Sequence, residues 1–286
     1  MAMTQDKSPD IIYHYTDGTG LIGIMQSQSL WATDYRYLND YSELKILHEY
    51  MLGKLERLSY NPHIKKEVEQ ILSVFLPEVI GSIADNPLDP KIFVTSFCRC
   101  GDLLSQWRGY GLDGGYAIGF DYPALDTMRK DEYNKRCFFM SLFDFVVYND
   151  ETIPKSFENS IDNLINMLGD FFNKPQPQRE EALKLYIENL PLLKHKGFFE
   201  EQEYRLVFAT KSAQVSDIKF RYRSGVAVPY IVLFGDEHIP LPIREIVVGP
   251  SQDAELRVQS IQLMLVQKGL NPDFVKLSSI PYVCQR

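Results

Sequence analysis

The sequence predicts an α+β fold in which β-sheets are interrupted by two helical inserts. Two segments, 41–85 and 155–195, carry apolar residues at helical spacing, whereas the segments around them are short, apolar and bounded by turn residues. With 286 residues, of which 45% are hydrophobic and 13% aromatic, the chain can bury a large core. It shows no repeat, low-complexity tract or linker-like change in composition, so we expect a single domain over 1–286.

The elements up to the second insert follow from local periodicity and from turn residues such as Asp17 and Gly18. In chain order we expect strands over 11–16 and 29–34 with a short helix between them, helices over 41–59 and 62–83, a strand over 91–98, a short helix over 102–110, a strand over 116–120 and an extended segment over 138–148.

The second insert and the end of the chain are assigned in the same way. Two helices over 156–172 and 179–193 are separated by a Lys-Pro-Gln-Pro turn, and strands dominate afterwards. These are expected over 204–209, 218–223, 226–234 and 243–248, followed by a helix over 254–268 and a last strand over 274–277.

Charge limits the classes of function. The formal net charge is −8, which excludes a general nucleic-acid coat protein. Two local basic clusters leave two interpretations open, solvated charge on a hairpin or a docking surface for a polyanionic substrate. They consist of Arg129, Lys130, Lys135 and Arg136, and of Lys211, Lys219, Arg221 and Arg223.

Composition also indicates the compartment. The longest apolar runs, such as 226–234, are about half of the roughly 20 residues that a membrane helix needs, and residues 1–10 are polar. The four cysteines are irregularly spaced, which fits a reducing compartment, and Cys98 and Cys100 lack the further ligands of a zinc site. We therefore expect a cytoplasmic protein without a membrane segment or a metal.

The opening strand carries the first candidate site. His14 and Thr16 share one face of this strand and Tyr13 and Tyr15 share the other, so that one pair can face a ligand while the other packs inward. A neutral imidazole and a hydroxyl can both bond to ribose hydroxyls. A structural His at the end of a strand is the alternative for His14.

Two further groups could contact a ligand. Arg36 follows the second strand, and its guanidinium matches the oxygens of a pyrophosphate. Thr95 and Ser96 lie in the middle of a strand, and Trp107 follows on the short helix, where nicotinamide or adenine could stack. The alternative is a buried strand with Trp107 in the core.

The candidate catalytic residues are Glu201 and Glu203, at the start of the strand that contains Arg205. These three side chains alternate onto one face. Glu203 next to Arg205 should stay ionised, and such a carboxylate can stabilise a ribose cation. A solvated acidic turn paired with Arg205 is the alternative.

Together these blocks resemble the ADP-ribosyltransferase fold, and the chain is similar to an uncharacterised bacterial family of domains of unknown function. That fold carries a His or Arg on its first strand, a Ser-Thr or Tyr element on a middle strand and a Glu at the start of a later one. The matching positions here are His14 with Tyr15 and Thr16, then Thr95 and Ser96, then Glu203 with Glu201. The resemblance implies a split β-sheet core with the two helical inserts added.

The resemblance also implies a reaction. NAD, as substrate, would lie with His14 and Thr16 on its ribose, with Tyr15, Tyr37 or Trp107 against nicotinamide and with Glu203 on the ribose 2′-hydroxyl. The expected activity is a NAD-dependent ADP-ribosyltransferase acting on a macromolecule, as a toxin or anti-phage effector, with an antitoxin or inhibitor as a further candidate partner.

Nucleic acid is slightly preferred over protein as the acceptor, because the opening motif is similar to that of the nucleic-acid-modifying branch and because of the basic clusters. Two alternatives stay open. A NAD glycohydrolase would use water as the acceptor. A non-catalytic binding module would neither transfer ADP-ribose nor hydrolyse NAD.

Overall fold

The computed structural model shows a mixed α+β protein with one large mixed sheet and several helices. It describes residues 8–38, 43–57, 62–63, 65–70, 91–110, 114–149, 153–169, 171–210, 216–236 and 239–281. Of the helix predicted over 62–83, residues 62–63 and 65–70 are helical and the rest lies outside the described residues. Among the described residues, no helix is both long and apolar enough to cross a membrane.

Ten of the described strands form one sheet, and β6 and β7 form a separate parallel pair. The strands are β1 Ile11–Thr16, β2 Ser29–Asp34, β3 Ile92–Cys98, β4 Tyr116–Asp121, β5 Met140–Phe145, β6 Val147–Asn149, β7 Leu193–His195, β8 Glu203–Ala209, β9 Lys219–Arg223, β10 Val226–Phe234, β11 Ile243–Val248 and β12 Val275–Leu277.

The sheet divides at β3. One edge of β3 pairs antiparallel with β8 along its whole length, and β8 pairs in turn with β5. The other edge pairs with β2 near its start, where Thr33 opposes Val94, and with β1 at its end, where Tyr13 opposes Cys98. Beyond β1 follow β4, β11 and β12, and beyond β2 follow β10 and β9. The strands β1 and β2 therefore diverge over the middle of β3.

The described helices lie near the expected positions, but the two that were predicted to end at 172 and 193 end at Leu168 and Asn189, and one helix was not predicted. They are α1 Gly18–Ser27, α2 Glu43–Arg57, α3 Leu104–Tyr110, α4 Tyr122–Arg136, α5 Lys155–Leu168, α6 Gln176–Asn189 and α7 Ala254–Gln267. The unpredicted helix is α4, which buries little more than Leu125 and Glu132 and so lacks a strong apolar period. Its start is nevertheless capped by Asp121, whose carboxylate accepts a hydrogen bond from the Ala124 amide at 2.9 Å.

Two large apolar cores lie on opposite faces of β3 and β8, because alternate residues of a strand point to opposite faces. Phe93 and Phe208 contribute to the core that α1, α4 and α7 cover. Val94 and Val207 contribute to the other core, which contains α2, Val68, α5 and α6. The two helical inserts, which are far apart in sequence, therefore share one core. Lys54 of α2 also pairs with Asp162 of α5 at 2.7 Å.

Candidate active site

A cleft of about 820 Å³ opens where β1 and β2 diverge over β3. This volume lies within the roughly 300–1,000 Å³ that is typical of small-molecule sites. The walls are formed by β1 and the start of α1, by β2 and β3, by α3, by the 3-10 helix Lys196–Glu201 with β8, and by β9. The sequence-predicted residues that line the cleft are His14, Tyr15, Thr16, Thr95, Ser96, Glu201 and Glu203.

His14 is half-buried on the cleft wall. Its Nδ1 lies 2.9 Å from the carbonyl oxygen of Ser96, which can only accept, so Nδ1 carries the proton and Nε2 is the acceptor. Burial lowers the pKa of His14, and the charge of nearby Arg221 lowers it further, against the hydrogen bond to Ser96. The ring is therefore neutral at pH 7.

The divergence of the strands explains why polar residues gather here. Between its contacts with β2 and β1, the middle of β3 has no strand partner on this edge among the described strands. His14 bonds to the Ser96 carbonyl instead, and Thr95 Oγ1 donates to the carbonyl of Trp31 at 3.2 Å. These side chains replace missing ladder bonds, so both have a structural role in addition to lining the cleft.

Tyr15 and Trp107 are not stacking surfaces for a ligand, which corrects the expectation from the sequence. Trp107 is only 1% exposed and does not line the cleft, and its Nε1 donates to Asp102 at 2.8 Å. Tyr15 packs edge-on against it, with ring centroids 4.8 Å apart. The Tyr15 hydroxyl donates to the Cys100 carbonyl and accepts from the Leu103 amide. Both rings belong to a small core behind β1.

Arg36 does not line the cleft, so its predicted contact with pyrophosphate is also corrected. Its Nε donates to Asp34 Oδ1 at 2.9 Å, and its Nη2 bonds to the other oxygen of the same carboxylate. The guanidinium is thus occupied by a residue two positions earlier in the chain. Tyr37, the remaining aromatic expected against nicotinamide, does not line the cleft either.

Glu203 lies at the start of β8 and is buried with two cations. Arg205 Nε donates to its Oε1 at 2.8 Å and Nη2 to its Oε2 at 3.0 Å, while Lys194 Nζ donates to Oε2 at 2.8 Å. Burial would raise the pKa of Glu203, but the charges and hydrogen bonds of Arg205 and Lys194 outweigh it and hold the pKa at about 2. The predicted ionised state of Glu203 is confirmed.

Glu201 faces the cleft more openly, with 24% of its side chain exposed. Its Oε2 accepts from Lys194 at 2.8 Å, so one ammonium joins the two carboxylates. Burial raises the pKa of Glu201, and Lys194 acts against that rise. Lys194 was missed in the sequence, because the helical pattern was extended over 179–193, whereas Lys194 belongs to the short strand β7.

Trp31 and Arg221 are two further cleft residues that were not predicted as site residues. Trp31 is 44% exposed and stacks on Tyr230, with ring centroids 4.4 Å apart. The Arg221 guanidinium lies 5.5 Å from the Trp31 ring, and its Nη2 donates to Thr33 Oγ1 at 2.7 Å. The Arg221 Nε is buried and, among the described residues, has no hydrogen-bond partner. An exposed Trp within a strand of otherwise buried residues could not be recognised without knowing which face is covered.

The two basic clusters differ in the structure. The first lies on α4 rather than on a hairpin, and acidic neighbours neutralise much of it. Arg129 and Lys130 pair with Asp126, and Arg136 pairs with Glu132 and Asp217. In the second cluster, Arg221 and Arg223 line the cleft and Lys219 lies on the same strand, whereas Lys211 is outside the described residues.

The described cysteines do not form a metal site. Cys98 lines the cleft as a free thiol whose pKa is raised well above its ordinary value, chiefly by burial. Over the described ranges, no group of three or more His, Cys, Asp or Glu side chains could hold a metal ion.

A family model described as "Protein of unknown function (DUF2971)" matches residues 106–206. This match confirms the expected similarity to an uncharacterised domain family. It includes Glu201 and Glu203 but not the opening strand with His14. No curated protein and no solved structure matches the chain.

Proposed function

We propose that the protein is a NAD-dependent ADP-ribosyltransferase that uses this cleft to modify a macromolecule. The observation that carries the proposal is the divergence of β1 and β2 over β3, because it brings His14, Ser96 and the Glu201–Glu203 pair to one cleft from three distant segments. A sheet divided in this way also supports the split-sheet core that the ADP-ribosyltransferase resemblance implies.

His14 and Thr16 hold the nicotinamide ribose of NAD. His14 is neutral, with its Nδ1 proton engaged by Ser96, so its Nε2 accepts a hydrogen bond from a ribose hydroxyl. Thr16 presents a hydroxyl from the same face of β1. This fixed tautomer orients the sugar before the bond to nicotinamide breaks.

Arg221 replaces Arg36 in the proposed contact with the pyrophosphate. The Arg221 side chain lines the cleft, whereas that of Arg36 does not. A phosphate oxygen is a suitable acceptor for a guanidinium. The Tyr110 ring, which is 44% exposed and lines the cleft, takes the position against nicotinamide that Trp107 cannot take.

The two carboxylates act on the developing charge. When the bond between ribose C1′ and the nicotinamide nitrogen breaks, its electron pair leaves with neutral nicotinamide and a ribosyl cation remains. The acceptor then donates an electron pair to C1′ and loses a proton. Glu201, the more exposed carboxylate, contacts the 2′-hydroxyl or receives that proton. Glu203 stays ionised behind it and, through Lys194, positions Glu201.

The test is incubation with NAD labelled in its adenylate part, together with cell extract, followed by separate nuclease and protease treatment. Released nicotinamide is measured in parallel. We expect labelled macromolecule and nicotinamide release with the wild-type protein, and a loss of at least about 100-fold in Glu201→Gln. Glu200→Gln is the matched control, because Glu200 is exposed and does not line the cleft.

Each outcome separates the candidate activities. Nicotinamide release without any labelled macromolecule would identify a NAD glycohydrolase and contradict the transferase. Neither product would point to a non-catalytic module. Full transfer activity in both Glu201→Gln and His14→Ala would show that this cleft is not the active site.

A further inference from the structure

Strand β9 gives the cleft a basic border. It lies at the end of one branch of the sheet and, among the described strands, pairs only with β10. Because side chains alternate along a strand, Lys219, Arg221 and Arg223 share one face and Phe220 and Tyr222 share the other. On the neighbouring strand β10, Tyr230 opposes Lys219 and lies on the same face of the sheet. Three cations are thus aligned on an edge strand that borders the cleft.

A flat aromatic surface lies on the same face. Trp31 of β2 opposes Val232 of β10 and stacks on Tyr230, and 44% of Trp31 is exposed. Arg221 lies beside it, at 5.5 Å from the ring. A ring that is supported from below and accessible from above can accept a second aromatic ring.

The charge of this face differs from that of the molecule. The net charge is −8, and the basic residues of α4 pair with carboxylates. Of the carboxylates that line the cleft, Glu201 and Glu203 are bonded to Lys194, Glu203 is also bonded to Arg205, and Asp17 accepts a hydrogen bond from the Gly20 amide. A basic face on an acidic protein selects polyanions locally without general binding along the surface.

We propose that this face binds single-stranded nucleic acid, with a base stacked on Trp31 and the backbone phosphates at Lys219 and Arg223. The inference rests on the proposed function, since it identifies the acceptor that the cleft modifies. A base can reach Trp31 only when it is unstacked from its neighbours, which favours single strands over duplexes. Arg221 belongs to this face and also lines the cleft where the NAD pyrophosphate is proposed to bind, so donor and acceptor meet at this residue.

The binding experiment contains no NAD. Fluorescently labelled 20-nucleotide DNA and RNA of mixed sequence, single-stranded and as duplexes, are titrated with protein, and anisotropy is measured at several salt concentrations. We expect single strands to bind more tightly than duplexes. Two phosphate contacts, at Lys219 and Arg223, predict a slope of about −1.4 for the logarithm of the binding constant against the logarithm of salt concentration.

The variants test the two parts of the face. Lys219→Ala and Arg223→Ala should each weaken binding and reduce the slope by about 0.7. Trp31→Ala should weaken binding by about tenfold at unchanged slope. Phe220→Ala is the matched control, because Phe220 is on the same strand, is 65% exposed and points to the opposite face. If Trp31→Ala does not fold, the inference is tested by comparing the binding constants and salt slopes of Lys219→Ala and Arg223→Ala with those of Phe220→Ala.

Three results would overturn the inference: no binding of any oligonucleotide, equal binding of duplexes, or an equal loss in Phe220→Ala and Arg223→Ala. Its failure is distinct from failure of the proposed function. Cleavage of NAD without oligonucleotide binding would remove only the nucleic-acid surface. Oligonucleotide binding without any NAD cleavage would remove the transferase proposal.

Discussion

At the scale of single residues, Lys194, Glu201, Glu203 and Arg205 form a hydrogen-bonded cluster of charges that lines the cleft. Arg205 is 1% exposed and Glu203 is 3% exposed, so neither charge is compensated by water. The two charges compensate each other through a bidentate contact, and Lys194 links this pair to the more exposed Glu201. Burial of charge at this density is costly unless each partner is present.

Replacing Glu203 by Gln should therefore destabilise the protein as well as impair activity. The buried charges of Lys194 and Arg205 would lose the carboxylate that both of them contact, and we expect a loss of about 3 kcal/mol in the free energy of unfolding at pH 7. Urea unfolding measures it, with Glu200→Gln as the control.

The loss of stability caused by Glu203→Gln should depend on pH. The pKa of Glu203 is depressed to about 2 in the folded protein, from an ordinary 4.5, so its contribution is complete above pH 4.5 and is lost as pH falls from there towards 2. The difference between wild type and Glu203→Gln should accordingly narrow between pH 5 and pH 3. A difference that stayed constant over this range would contradict the ionised, paired state.

Part of this cluster can be predicted from the sequence. Glu203 and Arg205 are two positions apart in a strand, so their contact follows from local geometry alone. The pairing of Arg36 with Asp34 was available in the same way, and it explains why Arg36 is not a cleft residue. Lys194 could not be found, because its contacts depend on how β7 lies against β8.

At the scale of elements, the junction of β1 and α1 shapes one wall of the cleft. A Cβ atom added at Gly20 would lie 1.9 Å from Thr16 Oγ1, whereas one added at Gly23 would meet nothing within 4 Å. Both glycines are in α1 and both line the cleft. Of these two glycines, therefore, Gly20 is the one at which a side chain would collide with Thr16.

Gly20→Ala should consequently displace the Thr16 hydroxyl and raise the KM for NAD several-fold. Gly23→Ala should leave the KM unchanged and, as an Ala in a helix interior, stabilise the protein by about 0.5–1 kcal/mol. Nicotinamide release at varied NAD concentrations and thermal unfolding measure the two effects. Equal KM values in both variants would show that Thr16 does not contact the substrate.

The two helical inserts meet at a buried histidine. His48 of α2 lies 2.6 Å from the hydroxyl of Tyr186 of α6, in the core that the inserts share. Burial lowers the pKa of His48 from 6.5 to about 4. The folded state therefore holds it neutral over a pH range in which the unfolded chain is protonated.

This predicts a loss of stability in mild acid. Between pH 6.5 and about 4 the unfolded state binds one proton more than the folded state, so the free energy of unfolding should fall by about 3 kcal/mol across this window. The variant His48→Gln should lose that dependence, and His63→Gln, with a side chain that is 72% exposed, should retain it. Urea unfolding at pH 7, 5.5 and 4.5 compares the three proteins. If the free energy of unfolding of His48→Gln fell with pH as steeply as that of the wild type, His48 would not be the group that causes the loss.

At the scale of the whole molecule, the divided sheet organises both core and cleft. Its central strands β3 and β8 are covered by different helices on their two faces, and, among the described strands, the middle of β3 has no partner on the edge that β1 and β2 share. The acidic net charge of −8 makes the basic border of this cleft a local feature.

The elements with strong periodicity, and the faces on which their side chains lie, can be predicted from the sequence alone. The α+β class, the paired orientation of His14 and Thr16, and the ionised Glu203 follow from spacing and adjacent charge. Helix α4 was not predicted, because few of its positions are apolar. The tertiary structure was needed to show that His14, Ser96 and Glu203 line one cleft, that Trp107 is in the core and that Trp31 is exposed. Such facts depend on which strands pair and in which register, and non-local pairing leaves no periodic trace in the chain.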